Sequence, residues 1–132
     1  METRDQFLKK FRGDMLGTIN AQSSADEFFQ NATLRPILKL QNDLFIEVFR
    51  NYISKSKTDF FNYNVDKKCQ FIENSIQKDI KFRNALKGIV IGLFTSEEYS
   101  RYLLNASSLN KRMMSMLIER LKSQVQLFEL QI

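Results

Sequence analysis

Leu34-Arg35-Pro36-Ile37-Leu38-Lys39-Leu40-Gln41-Asn42-Asp43-Leu44-Phe45-Ile46-Glu47-Val48-Phe49-Arg50-Asn51-Tyr52-Ile53 is the stretch whose reading decides the fold. An advance of about 100° per residue gathers Leu34, Ile37, Leu38, Leu44, Phe45, Val48, Phe49 and Tyr52 into one arc of roughly 140°. Arg35, Lys39, Asp43, Glu47 and Arg50 lie opposite, so the spacing predicts a long amphipathic helix. Thr33 is its expected N-cap, and Pro36 is tolerable because a first-turn N–H has no intrahelical partner to lose. Gln41 falls inside the apolar arc. A buried unpaired amide costs about 1–3 kcal/mol, so Gln41 is expected to hold a specific partner on a crossing segment.

Working outward, the rest of the chain also reads as helices. Phe7, Leu8, Phe11 and Met15 mark a short helix over residues 3–16, and Gly17 to Ser23 reads as a linker. Residues 1–23 are therefore expected to be an N-terminal arm, short helix or partly disordered, ahead of a single domain over 24–132. Ser24 and Glu27 match a capping box for a short helix ending near Asn31. Asn64 caps a helix with Val65, Cys69, Ile72 and Ile76 on its inner side, which makes Cys69 an inert core thiol. A helix from Asp79 carries Phe82, Ala85, Leu86, Ile89, Val90 and Leu93, with Gly88 and Gly92 on a strip open to a close neighbour. Thr95 and Glu98 match a second capping box. The last helix, from Leu109 to about Glu129, has apolar positions spanning roughly 200°, wider than a one-sided surface helix needs.

Composition agrees with this pattern. One Pro and four Gly in 132 residues supply too few turns for many short strands, while 43% hydrophobic residues and twelve Phe supply a core. At this length a single domain buries somewhat over 60% of its unfolded surface. The expected fold is all-α: a single compact helical bundle of five to seven helices, with the two long helices as its core pair.

The absence of His removes imidazole metal sites, His-based triads and a His general base. One Cys excludes zinc clusters and an internal disulfide. Neither paired-carboxylate set offers catalysis: Asp43 and Glu47 sit among cations on a solvated face, and Glu97 and Glu98 serve a helix start. The expectation is a non-enzymatic protein without cofactor or metal. No apolar run reaches the length of a membrane span, and no hydrophobic leader follows the charged start, so a cytoplasmic protein is expected.

Charge supplies the functional lead. Net charge is +5, and residues 67–132 hold eleven basic against six acidic side chains, whereas residues 1–66 hold nine of each. Lys67, Lys68, Lys78, Lys81, Arg83 and Lys87, with Lys111, Arg112, Arg120 and Lys122, are the candidates for contact with nucleic-acid phosphates. The expected function is docking on RNA or a ribonucleoprotein through this basic half. The alternative is a helical adaptor or homo-oligomer that uses Met113, Met116 and Leu127 as its interface; a small-molecule enzyme or carrier with a pocket beside Gly88 and Gly92 is the third reading.

Residues Leu34 to Asn42, Lys81 to Gly88 and Asn110 to Met114 resemble a family of small bacterial helical proteins whose members are often labelled glyoxalase in automatic annotation. The resemblance spans residues 30–128. It implies an all-helical bacterial protein and brings no functional residues with it.

Overall fold

The structure, a computed structural model, describes residues 1–13 and 24–129, and within them every regular element is helical. The expected end of the first helix at residue 16, the linker before Ser24 and the last three residues lie outside the described residues. In chain order the α-helices are α1 (Arg4–Arg12), α2 (Ala25–Phe29), α3 (Arg35–Leu40), α4 (Asn42–Lys55), α5 (Val65–Lys78), α6 (Ile80–Ile91), α7 (Ser96–Leu104) and α8 (Ala106–Ser123). A π-helical turn, Gln30–Leu34, joins α2 to α3 without a gap.

That turn replaces the boundary expected at Asn31. The Arg35 amide donates to the Gln30 carbonyl, five residues back, which widens the helix just before Pro36, a residue with no N–H to place. Thr33 is consequently not an N-cap. It is buried, and its hydroxyl donates to Glu98 Oε2 at 2.6 Å.

The long helix itself bends at Gln41, whose φ of −90° and ψ of 4° depart from helical values. Its backbone bonds still bridge the bend, from the Gln41 amide to Ile37 and from the Phe45 amide to Gln41, each at 2.9 Å. Beyond the bend the inner face rotates: Leu44 is exposed, while Ile46 and Ile53 join Phe45 and Phe49 in the core. Gln41 is only half-buried. The interhelical amide contact expected of it is made one residue later. Asn42 Nδ2 donates to Gln124 Oε1 at 2.9 Å, and Gln124 Nε2 returns a bond to Asn42 Oδ1 at 2.8 Å. This pair also marks the end of α8, six residues before the expected limit. A short 3₁₀ turn, Val125–Leu127, then delivers Phe128 to the core.

Both long helical segments supply the core, Ile37, Leu38, Phe45, Phe49 and Ile53 coming from α3 and α4 to meet the last helix, α8. It packs against α5, α6, α7 and the π turn, burying Leu109, Met113, Met114, Leu117, Ile118 and Leu121. Beside it Phe49 is fully buried among the rings of Tyr52, Phe71, Phe82 and Phe128, with centroids 5.1–6.2 Å apart. Burial of several large rings accounts for much of the hydrophobic stabilisation. On α5 the inner face begins later than expected: Val65 is exposed and Cys69 half-buried, so Ile72 and Ile76 supply the apolar contact.

The N-terminal helix is docked on the bundle. A capping box between Thr3 and Gln6 starts it, and only Leu8 is buried. Its attachment is mostly polar: Arg4 donates to the carbonyls of Phe94 and Gly92, and Asp5 accepts from the Ser96 amide at the start of α7. Arg12 reaches Glu98 with two bonds, of 2.6 and 2.7 Å, and donates to the Leu93 carbonyl. Glu98 completes its shell with the Thr95 amide, as the capping box predicts, and with Thr33. Burial alone would raise its carboxyl pKa, but the donors of Arg12, Thr33 and Thr95 overcome that and hold it at about 2.

Candidate functional site

Two adjoining grooves flank the outer ridge of α8. The larger, about 670 Å³, lies between α8 and the π turn with α3; Arg35, Lys111, Arg112 and Arg120 line it, with Leu38 and Met116 as apolar floor and Glu119 as the acidic member. The smaller, about 450 Å³, lies between α8 and α6, where Arg83 and Lys87 face Lys111 across Ser107, Asn110 and Ser115. Lys111 and Ser115 belong to both, so the grooves meet at the ridge. Helical spacing explains the arrangement. Positions 112, 115, 116 and 119 fall on the outer side of α8, away from Leu117 and Leu121, which enter the core, and Lys111 and Arg120 stand at the two borders of that side.

The cations of this surface have few acidic partners. Arg112 lies 3.9 Å from Asp26; none of the other five pairs with a carboxylate within 4 Å among the described residues. The guanidiniums are held by neutral groups. Arg35 Nε donates to Asn31 Oδ1 at 2.7 Å, Arg112 to Gln30 Oε1 at 2.8 Å, Arg120 to Asn42 Oδ1 at 3.4 Å, and Arg83 to the Gln77 carbonyl at 3.1 Å. Burial and then the charge of nearby Arg35 lower the pKa of Arg120, although it stays cationic at any ordinary pH.

Five of the ten cations expected from sequence therefore meet on one face: Arg83, Lys87, Lys111, Arg112 and Arg120. The other five line neither groove. Lys67 sits over the Tyr63 ring at 4.2 Å, and Lys68 lies over Phe60 and donates to the Phe128 carbonyl. Lys122 is paired with Glu73 at 3.1 Å, which raises its pKa. Lys78 and Lys81 are exposed at the α5–α6 corner. Arg35 was missed because its own helix reads as a mixed-charge face; only the π turn brings it opposite α8.

The expected apolar interface does not form a continuous surface. Met113 is fully buried because its side of α8 faces the core, Met116 is half-buried in the larger groove, and Leu127 is exposed beyond the end of the helix. Gly88 and Gly92 have no close neighbour helix: a Cβ on Gly88 would meet nothing within 4 Å, and one on Gly92 only backbone of its own helix. The Gly92 carbonyl instead accepts from Arg4. Among the described residues no three His, Cys, Asp or Glu side chains gather as a metal site, and no helix is long and apolar enough to cross a membrane.

No protein-family model, curated protein or solved structure matches this chain.

Proposed function

We propose that this is a non-enzymatic protein that docks on structured RNA, alone or within a ribonucleoprotein, through the α8 face. The observation that carries the reading is the pair of grooves that meet at Lys111, with six cations and one carboxylate between them. Such a surface attracts phosphates, and releasing their counterions supplies the affinity. No aromatic side chain lines either groove, so unpaired bases have nothing to stack on. The hydroxyls and amides interspersed among the cations, Ser107, Asn110, Ser115 and Gln124, suit phosphate and ribose 2′-hydroxyl contacts. This is recognition by shape and backbone, as double-stranded RNA invites.

The test is a fluorescence-polarisation titration of an RNA hairpin between 50 and 200 mM salt. With about six phosphate contacts the affinity is expected to fall roughly a thousandfold, linearly in log–log form. A DNA duplex of matched sequence, run in parallel, separates RNA preference from general polyanion binding. Absence of RNA binding at 50 mM salt overturns the proposal.

A further inference from the structure

The larger groove differs from the smaller in one respect: its guanidiniums are oriented by side-chain amides. Asn31 holds Arg35, Gln30 holds Arg112 and Asn42 holds Arg120, with Asn42 itself fixed by the reciprocal bonds to Gln124. An amide oxygen fixes a guanidinium fork without cancelling its charge, which a carboxylate would do. Three like charges thereby line one groove, offset only in part by Glu119 on its wall and by Asp26, 3.9 Å from Arg112. Arg35 and Arg120 lie near enough for one to disfavour the other's charge, a repulsion that an anion between them would relieve.

We propose that Arg35, Arg112 and Arg120 form a discrete site for the dianionic phosphoryl group of a phosphomonoester. Guanidinium forks match phosphate oxygens two at a time, and a dianion balances this cluster better than the single charge of an internal phosphodiester. A volume of about 670 Å³ is in the range of small-molecule sites. Its apolar floor, Leu38 and Met116, suits a sugar or base face rather than a bare ion. This inference rests on the RNA reading, in which the phosphomonoester is a strand's 5′ end; the same chemistry is offered by a free nucleoside monophosphate.

The experiment compares two RNA hairpins that differ only in a 5′-phosphate or 5′-hydroxyl, with AMP and adenosine as competitors. The phosphorylated strand is expected to bind about tenfold or more tightly, as hydrogen bonds to a charged group allow. The advantage should grow from pH 5 to pH 7 as the phosphate takes its second charge near pH 6. AMP, but not adenosine, should abolish it. AMP binding as tight as the phosphorylated strand assigns the site to a free nucleotide, and weaker binding assigns it to the strand end. Arg35→Gln, at an exposed position, should equalise the two strands and Arg35→Lys should restore only part of the difference, whereas Lys67→Gln, outside both grooves, should leave the phosphorylated strand's advantage intact. Far-UV circular dichroism of each variant confirms the fold. Equal affinity of the two strands, with salt-dependent binding retained, overturns the site and leaves the RNA reading standing; no binding of either strand at 50 mM salt overturns both.

Discussion

Arg12 and Glu98, 86 positions apart, close a two-pronged ion pair with N–O distances of 2.6 and 2.7 Å, and both side chains are about 95% buried. The pair joins the N-terminal helix to the first turn of α7, and through Thr33 to the π turn. Breaking a buried pair from one side leaves an uncompensated charge, at a cost of about 3–5 kcal/mol. Glu98→Gln is expected to lower stability in urea denaturation by that amount. It should also expose α1 to protease before the rest of the domain unfolds. A loss under 1 kcal/mol would show that α1 is held by its other contacts.

The same carboxylate predicts an acid response. Its folded pKa, about 2, lies below the ordinary value of 4.5, so its stabilising contribution is complete above about pH 4.5 and disappears as pH falls toward about 2. Stability measured by thermal melting should drop through that window in the parent. In Glu98→Gln the drop should be shallower, because the group that takes up the proton is gone. Parallel curves for the two proteins would refute the assignment.

The reciprocal amides Asn42 and Gln124 hold the bend of the long helix to the end of α8. Asn42→Leu or Gln124→Leu alone strands one amide in a half-buried setting, expected to cost about 1–3 kcal/mol. The double variant should cost less than the sum, since both polar partners leave together. A double-mutant cycle by denaturation measures the coupling, and additive losses would mean the amides act independently.

Gly88 sits inside α6 with open space where a side chain would point. Gly88→Ala is therefore expected to stabilise the protein by roughly 0.5–1 kcal/mol through helix propensity and a less flexible unfolded chain. Destabilisation would show that something approaches this backbone after all.

On the basic face, Arg83→Gln, Lys87→Gln and Lys111→Gln should each reduce the salt slope of RNA binding by about 0.9, one phosphate contact apiece. Lys67→Gln, whose ammonium already lies over the Tyr63 ring, serves as the control and should leave the slope unchanged. Equal effects at Lys67 would place the RNA on a different surface.

The sequence by itself determined that the chain is helical, and where most helices begin. These are local matters: apolar spacing sets the buried side, and Ser24, Asn64, Asp79 and Thr95 each cap a helix by accepting from an amide three residues on. It also exposed the bias of positive charge toward the C-terminal half. Only the tertiary structure decided which charges act together. Arg35 and Arg120, distant in sequence, share a groove because the π turn packs on α8 and α3 begins directly after it, while Lys67, Lys68 and Lys122 find partners of their own. The long helix around Gln41 carried the same lesson. Its period is uniform, but the bend there turns Leu44 outward and Ile46 inward and passes the interhelical amide contact to Asn42. Periodicity records the average direction of a helix; a one-residue change of backbone angle alters which side chains meet, and that depends on what packs against it.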